Sequence, residues 1–282
     1  MILFSCEKTI DPFVGQFEKK LVINSEIQPN KPIYLFVSTS VSLNQQEDPF
    51  RPEDFDQFKA YITVNDQIES PEEILFFEKD EDDGGGLTWR TRRSFNTKEL
   101  QNLKLQATLY HEEYTLSANA ETTIPSTMNI DTINYLGIES IEVNESYSYR
   151  VEMKLPFGET MVNNNFHLLA AHEGKSLSIS HFGQNESAIE YPHHHVGALI
   201  HGDQLGTNTL SFLVHSDKQL ETLNIELRNC TDSYMDYHIS LSRSYSSQNS
   251  PFNEPTLNYS NIENGLGVFT SFSSFVAELD LK

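Results

Sequence analysis

The sequence has few of the residues that mark several common classes of protein. Its 282 residues include two cysteines, Cys6 and Cys230, so neither a disulfide framework nor a thiolate zinc cluster is expected. No apolar run reaches the roughly 18 residues that a membrane-spanning helix needs. Basic residues are scarce, because 19 Lys and Arg stand against 41 Asp and Glu, giving a net charge of −22. That charge argues against nucleic acid as a partner and against electrostatic docking on anionic lipid.

Catalytic and calcium-binding motifs are missing as well. The sequence contains no H-E-x-x-H, no G-x-S-x-G and no G-x-x-x-x-G-K. The acidic run that includes Asp80 resembles a calcium loop, but its twelfth position is Thr91 instead of a bidentate glutamate. Carboxylates are so numerous that no acid–base pair stands out. We therefore expect a protein that is not an enzyme, with a solvated loop at 78–86.

The apolar residues that are present favour a β fold. The apolar content of 38%, with 18 Phe and 12 Tyr, is enough for a packed core, and aromatic and β-branched residues favour strands. Short alternating segments recur without any long helical period, and turn-forming residues gather near 125–131. We predict an all-β fold of two β-sandwich (immunoglobulin-like) domains, at 21–125 and 131–282, with few short helices.

The individual elements are predicted from the same alternation. A short helix is expected at 49–59, and Asn264 and Gly265 offer the positive φ of a tight turn. Gly267 permits close backbone approach, and that turn is expected to lock a final strand into the second sandwich. Strands are predicted at 21–23, 33–41, 60–64, 87–90, 103–109, 114–123, 148–155, 166–171, 177–180, 209–214, 223–227 and 237–241.

The first residues resemble a bacterial lipobox. Apolar residues end in Ser5 and Cys6, and the chain turns polar at Glu7. This pattern predicts lipid attachment at Cys6, with 1–20 forming a lipobox remnant and tether. A full secretory signal would add a basic region and a longer apolar region. The alternative interpretation is an ordinary strand in which Cys6 is a small buried hydrophobic residue.

Histidines are concentrated in one part of the chain. Eight of the ten lie between positions 167 and 215, and three of them are consecutive. In an extended segment His193 and His195 point to the same side, and a hairpin could bring His201 beside them. Imidazole suits zinc or copper, so these three are the candidate metal ligands. A solvated, histidine-rich loop is the alternative.

Segments near the end of the chain carry a family resemblance. P-F-x-x-P at 251–255 and N-I-x-x-G-L-G-x-F at 261–269, together with the lipobox, 118–125 and the segment around Asp131, resemble the Bacteroidota lipoproteins of domain-of-unknown-function family 4249. The resemblance covers most of the chain, with its specific motifs at the two ends. It implies an outer-membrane lipoprotein of two β-sandwich-like domains, often encoded beside a TonB-dependent receptor.

Three functions follow from these observations. The resemblance implies a lipid-anchored accessory partner of a TonB-dependent transporter in nutrient uptake, on the periplasmic or cell-surface face of the outer membrane. The loops at 44–54, 78–86 and 183–195 are the candidate partner surfaces, since binding residues concentrate on loops. The alternatives are a histidine-rich zinc- or copper-binding protein and a cell-surface structural or adhesion module.

Overall fold

The computed structural model describes ten stretches of the chain, at 18–40, 57–64, 74–79, 88–91, 101–128, 130–141, 146–155, 164–190, 197–248 and 258–282. Within them lie sixteen strands, two 3-10 helices at Gly183–Ala188 and Gly202–Gln204, and one α-helix, α1 (Asp232–Gln248). The strands are β1 (Leu21–Ile27), β2 (Tyr34–Thr39), β3 (Phe58–Val64), β4 (Ile74–Lys79), β5 (Thr88–Thr91), β6 (Asn102–Tyr110), β7 (Thr115–Thr123), β8 (Thr132–Ile141), β9 (Tyr147–Lys154), β10 (Asn165–His172), β11 (Lys175–Ser180), β12 (Ile189–Glu190), β13 (Ala198–His201), β14 (Thr209–Ser216), β15 (Thr222–Cys230) and β16 (Gly265–Asp280).

The all-β, sandwich-like class predicted from the sequence is confirmed. Along the strands, buried and more exposed residues alternate, as in β14, so each strand turns one face toward a core. One core gathers buried residues of the first half, from Leu21 to Ile124, and a second gathers those from Tyr149 to Leu227. The division into two domains stays a prediction, because one hydrogen-bonded path of strands runs through both halves. Its order is β7-β6-β3-β4-β5-β2-β1-β16-β15-β10-β11-β14-β9-β8.

The last strand, β16, joins the two halves. Its first part pairs in parallel with β1, from Leu21 opposite Gly265 to Ile27 opposite Ser271. Its second part, 272–280, pairs antiparallel with β15. The prediction that this strand is locked into the second sandwich is therefore corrected. The strand is long enough to pair with one half and then with the other, and Phe269 packs in the first core.

The inward face of β16 carries serines instead of apolar residues where the strand passes from one core to the other. Ser271 Oγ donates to the carbonyl of Thr123 at 2.7 Å, and Ser273 Oγ donates to that of Ser126 at 2.7 Å. Asn229 Nδ2 donates to the same Ser126 carbonyl at 3.0 Å. Buried backbone carbonyls need donors, and these side chains supply them to the connection between the halves.

The residues before β16 fix where it begins. Asn261 Nδ2 donates to the Phe269 carbonyl at 2.8 Å, and Asn261 Oδ1 accepts from the Phe269 N–H at 2.9 Å. Asn264 has φ +59°, which confirms the turn expected there. Gly267 has φ +103°, and a Cβ at this position would lie 2.1 Å from the Ile23 carbonyl oxygen, so the expected close approach is confirmed.

One predicted strand is wrong. Residues 237–241 belong to α1, whose 17 residues make it longer than the short helices expected. Thr231 Oγ1 accepts from the Tyr234 N–H at 3.4 Å at the start of the helix. Tyr234 and Met235, with Ile239 one turn further, pack on the outward face of the sheet against Leu199, Cys230 and Phe272. The sequence pattern was short enough to fit a strand, and packing against this face selected the helix.

Other predictions meet the limits of the described residues. The helix expected at 49–59 cannot extend to its predicted end, because Phe58 and Lys59 begin β3. Its residues 49–56 lie outside the described stretches, as do 80–86 of the acidic run and the 251–255 motif. The loop predicted at 78–86 begins later than expected, because Glu78 and Lys79 end β4. Strands β4, β8, β12 and β13 were not predicted.

We expect Gly267→Ala to lower the free energy of unfolding by about 3 kcal/mol or more, because the backbone strain and the clash with Ile23 add. Gly206→Ala is the control, since Gly206 is exposed with nothing within 4 Å of the added carbon. It should change stability by less than about 0.5 kcal/mol. Urea unfolding of both variants measures the difference, and equal effects would contradict this account of β16.

Candidate functional site

The densest group of interacting polar side chains in the described structure lies where α1 crosses the outward face of the sheet. Strands β1, β10 and β15 supply the residues beneath the helix, and α1 supplies two from above. We call this group the helix–sheet cluster. Its members are Glu26, His167, Glu226, Arg228, Tyr234 and His238.

Tyr234 is the centre of the cluster. Arg228 Nη1 donates to its hydroxyl oxygen at 3.1 Å, and the same oxygen lies 2.8 Å from His167 Nδ1. Because the guanidinium has only donors, the tyrosine proton is free to be donated to His167 Nδ1. Tyr234 is fully buried, and burial raises its pKa well above the ordinary value, so it stays a neutral hydroxyl.

Arg228 is held from two further directions. Its Nε and Nη2 donate to the two carboxylate oxygens of Glu226 at 2.9 and 3.3 Å. Its guanidinium lies 4.4 Å from the centre of the Phe272 ring. Burial lowers the pKa of Arg228, but Tyr234 and Glu226 outweigh burial and raise it, so the group remains a cation.

His238 connects the helix to the first half of the chain. Its Nε2 lies 3.1 Å from Glu26 Oε1 on β1, and its ring lies 4.3 Å from that of Tyr234. Burial raises the pKa of Glu26, but the hydrogen bond from His238 and the charges of His238 and Arg228 lower it further than burial raises it. The net pKa is below the ordinary value, so Glu26 is held as a carboxylate.

The side chains of the helix–sheet cluster are suited to a structural role and not to nucleophilic catalysis. Cys230, beneath α1, is buried, and burial raises the pKa of its thiol well above the ordinary value, which makes it a poor nucleophile. Tyr234 is neutral and already donates and accepts. The arrangement fixes α1 on the sheet and ties it through His238 to β1.

The predicted metal ligands are only partly placed. His201 Nε2 lies 3.3 Å from Glu190 Oε1, across the β12–β13 pair. His193 and His195 lie outside the described residues, as does Cys6. In the part of the chain that the structure describes, no three His, Cys, Asp or Glu side chains are grouped as a metal site. The roles of Cys6, His193, His195 and His201 stay predictions.

Of the other clustered histidines, His181 and His215 lie close together, with ring centres 6.4 Å apart, whereas His167 and His172 lie elsewhere in the fold. His172 Nδ1 lies 2.8 Å from the Thr222 carbonyl, while His167 belongs to the helix–sheet cluster. His215 lies between Ser148 Oγ at 3.0 Å and Ser180 Oγ at 2.5 Å. Their closeness in sequence therefore does not make one site of all four side chains, because β10 carries His167 and His172 elsewhere.

A shallow cleft of about 630 Å³ lies on the outward face of β9 and β14. Its charged residues are of both signs, and Arg150 bonds to Glu139 across it. Glu186, from the 3-10 helix, accepts from the Phe182 N–H at 2.7 Å. The cleft is concave, with a lining that is about half polar and half apolar, and its charged groups have partners: Arg150 pairs with Glu139, and Glu186 with a backbone N–H.

Sequence reasoning missed the helix–sheet cluster. Its members come from positions 26, 167, 226, 228, 234 and 238, so no local motif contains them. One signal was available, because Tyr234 and His238 are four residues apart and share a face only in a helix. The alternating interpretation of 237–241 concealed it.

We expect Tyr234→Phe to lower the free energy of unfolding by about 1–3 kcal/mol, because it deprives Arg228 of an acceptor and His167 of a buried partner. Tyr110→Phe is the matched control, since Tyr110 is 46% exposed and should change stability by less than about 0.5 kcal/mol. Chemical unfolding followed by circular dichroism gives both values. Similar losses of unfolding free energy in the two variants would show that the Tyr234 hydroxyl stabilises the fold no more than an exposed hydroxyl does.

The lowered pKa of Glu26 predicts a pH dependence. Its carboxylate contributes stability above the ordinary value of 4.5, and this contribution is lost as pH falls through the lowered folded value. Glu26→Gln removes it, so the stability difference between wild type and variant should shrink as pH falls below 4.5. Urea unfolding from pH 7 downward measures that difference. A constant difference across the range would contradict the assignment.

Comparison with known proteins places this fold in a family. No curated protein matches the chain significantly. The family described as Domain of unknown function (DUF4249) matches residues 7–276, which include β1, the helix–sheet cluster and most of β16. The chain therefore belongs to the DUF4249 family.

Proposed function

We propose that this chain is a non-enzymatic, lipid-anchored lipoprotein of the Bacteroidota outer membrane that assists a TonB-dependent transporter in nutrient uptake. The observation that carries the proposal is the family match over 7–276, which begins directly after Cys6. The resemblance of the lipobox and of the 261–269 segment to the lipoproteins of this family supports the anchor. The proposed attachment residue is Cys6.

The fold suits a load applied through its N-terminus. Lys20 N–H donates to Ser40 Oγ at 2.8 Å, and Ser40 N–H donates to the Lys20 carbonyl at 2.8 Å. The chain then enters β1, which is paired on both sides, with β2 and with β16. A pull at Cys6 would reach two neighbouring strands instead of peeling away an edge.

The cleft is the best described candidate for a partner surface. Of the three loops predicted to meet the transporter, 44–54 and most of 78–86 lie outside the described residues. Residues 183–190 of the third form the 3-10 helix and β12, and Gly183 and Glu186 line the cleft. A partner there would meet a surface that is half apolar and carries charges of both signs.

Metal binding remains a weaker proposal, and no described observation favours it over the anchor. His201 is engaged with Glu190, and its proposed companions are His193 and His195. Calorimetry with zinc and with copper separates the two proposals, because the variant His193→Ala/His195→Ala should give matching heats if no site exists. A surface structural or adhesion role would leave the protein anchored without a transporter.

The proposal is tested on protein extracted from its native membrane. We expect an intact mass that includes acyl chains on Cys6, because a lipobox directs lipid to that cysteine, and co-purification of a β-barrel receptor. Cys6→Ser should lose both the acyl mass and the membrane association, since the anchor is removed.

Cys230→Ala is the matched control, because this buried cysteine has no proposed role in attachment. It should keep the acyl mass and the receptor. Acylated protein that repeatedly purifies without a receptor would contradict the proposed partnership with a transporter and favour the adhesion module. Protein with no acyl mass would refute the anchor itself.

A further inference from the structure

The position of Leu21, the first residue of β1, shows which end of the first half lies nearest to the N-terminal segment. Leu21 begins β1 opposite Gly265, the first residue of β16. β16 then runs for 16 residues, or about 50 Å, into the second half. The N-terminal segment therefore joins the first half where β16 begins, which is about 50 Å from where β16 ends in the second half.

The β6–β7 hairpin lies at this same end. β6 and β7 close with Tyr110 opposite Thr115, and the His111 N–H donates to the Tyr114 carbonyl at 2.9 Å. Lys19, two residues before β1, places its Nζ 4.9 Å from the centre of the Tyr114 ring. Lys19, which lies just before β1, thus contacts the hairpin directly.

Two tyrosines and two lysines form paired contacts on this surface. Lys59 Nζ lies 5.7 Å from the Tyr110 ring centre, which repeats the Lys19–Tyr114 contact on the neighbouring strand. Tyr110 is 46% exposed. Tyrosine and lysine each carry an apolar body with a polar tip, a combination suited to the boundary between lipid headgroups and water.

Charge at this end is balanced. Glu18, Glu112 and Glu113 are exposed beside the lysines. Attraction to an anionic bilayer is therefore weak, in agreement with the strongly acidic chain. The surface fits zwitterionic phospholipid headgroups, whose amines and phosphates pair with carboxylates and ammonium groups alike.

The length of the N-terminal segment limits how far the anchored lipid can lie from each end of β16. Cys6 and Lys19 are thirteen positions apart in the sequence, and a fully extended chain of that length spans at most about 45 Å. The far end of β16 is about 50 Å from where the chain enters. A lipid on Cys6 would therefore bring that far end near the bilayer only with the segment stretched to its limit, whereas the hairpin end needs no extension.

We infer that the surface formed by Lys19, Lys59, Tyr110 and Tyr114, the hairpin end, rests on zwitterionic phospholipid headgroups. The second half, with its cleft, is then held away from the bilayer. This inference rests on the lipid anchor at Cys6 proposed above, and it adds the orientation of the anchored protein.

The experiment uses the full chain with a two-chain lipid coupled through maleimide to the Cys6 thiol, since one acyl chain gives only marginal anchoring. Burial of Cys230 keeps the label on Cys6. Hydrogen exchange is measured on phosphatidylcholine vesicles and in detergent micelles. We expect exchange of the 110–115 amides to slow severalfold on vesicles. The β10–β11 turn at 172–175, on the second half, is the internal control and should not change.

Tyr110→Ser combined with Tyr114→Ser should abolish most of that protection while leaving the protein on the vesicles, because the coupled lipid still anchors it. Hairpin exchange that matches the micelle value, or protection at 172–175 instead, would overturn the orientation. Because the lipid is coupled chemically, these outcomes do not depend on native acylation. The intact mass of the native protein decides the proposed anchor separately.

Discussion

The structure depends on the uninterrupted alternation of β16. A strand turns successive side chains to opposite faces, so its inward positions stay inward only while no residue is inserted or lost. β16 keeps that register while its partner changes from β1, in parallel, to β15, antiparallel. Phe269 consequently packs in the first core and Leu279 in the second. A shift of one residue would turn both away from these cores.

The helix–sheet cluster secures the same junction from the outward side. α1 follows β15 in the chain but reaches β1 through the His238–Glu26 contact. Thr231 Oγ1 and Thr270 Oγ1 lie 2.6 Å apart, which fixes the start of the helix on β16. On the inward side, serine hydroxyls hold the connection between the halves. The junction therefore combines hydrogen-bonded polar side chains with the apolar contacts beneath α1, while the two main cores on either side are apolar.

This arrangement gives the molecule a direction. The N-terminal segment and the β6–β7 hairpin lie at one end of β16, and the cleft belongs to the half at the other. With the lipid anchor proposed at Cys6, this arrangement would hold the cleft away from the bilayer. The long strand acts as a rigid spacer, because its backbone is hydrogen-bonded along both of its parts.

The sequence by itself determined the β class, most of the strands and the special backbone at 264–267, because these depend on alternation and on the conformational freedom of single residues. Of the resemblance found in the sequence, the match over 7–276 confirms membership of the DUF4249 family. Only the tertiary structure decided that β16 serves both halves and that 237–241 is helical. It alone assembled Glu26, His167 and Tyr234, since strand pairing and helix packing bring together residues that are more than 60 positions apart. No local pattern records contacts of that range.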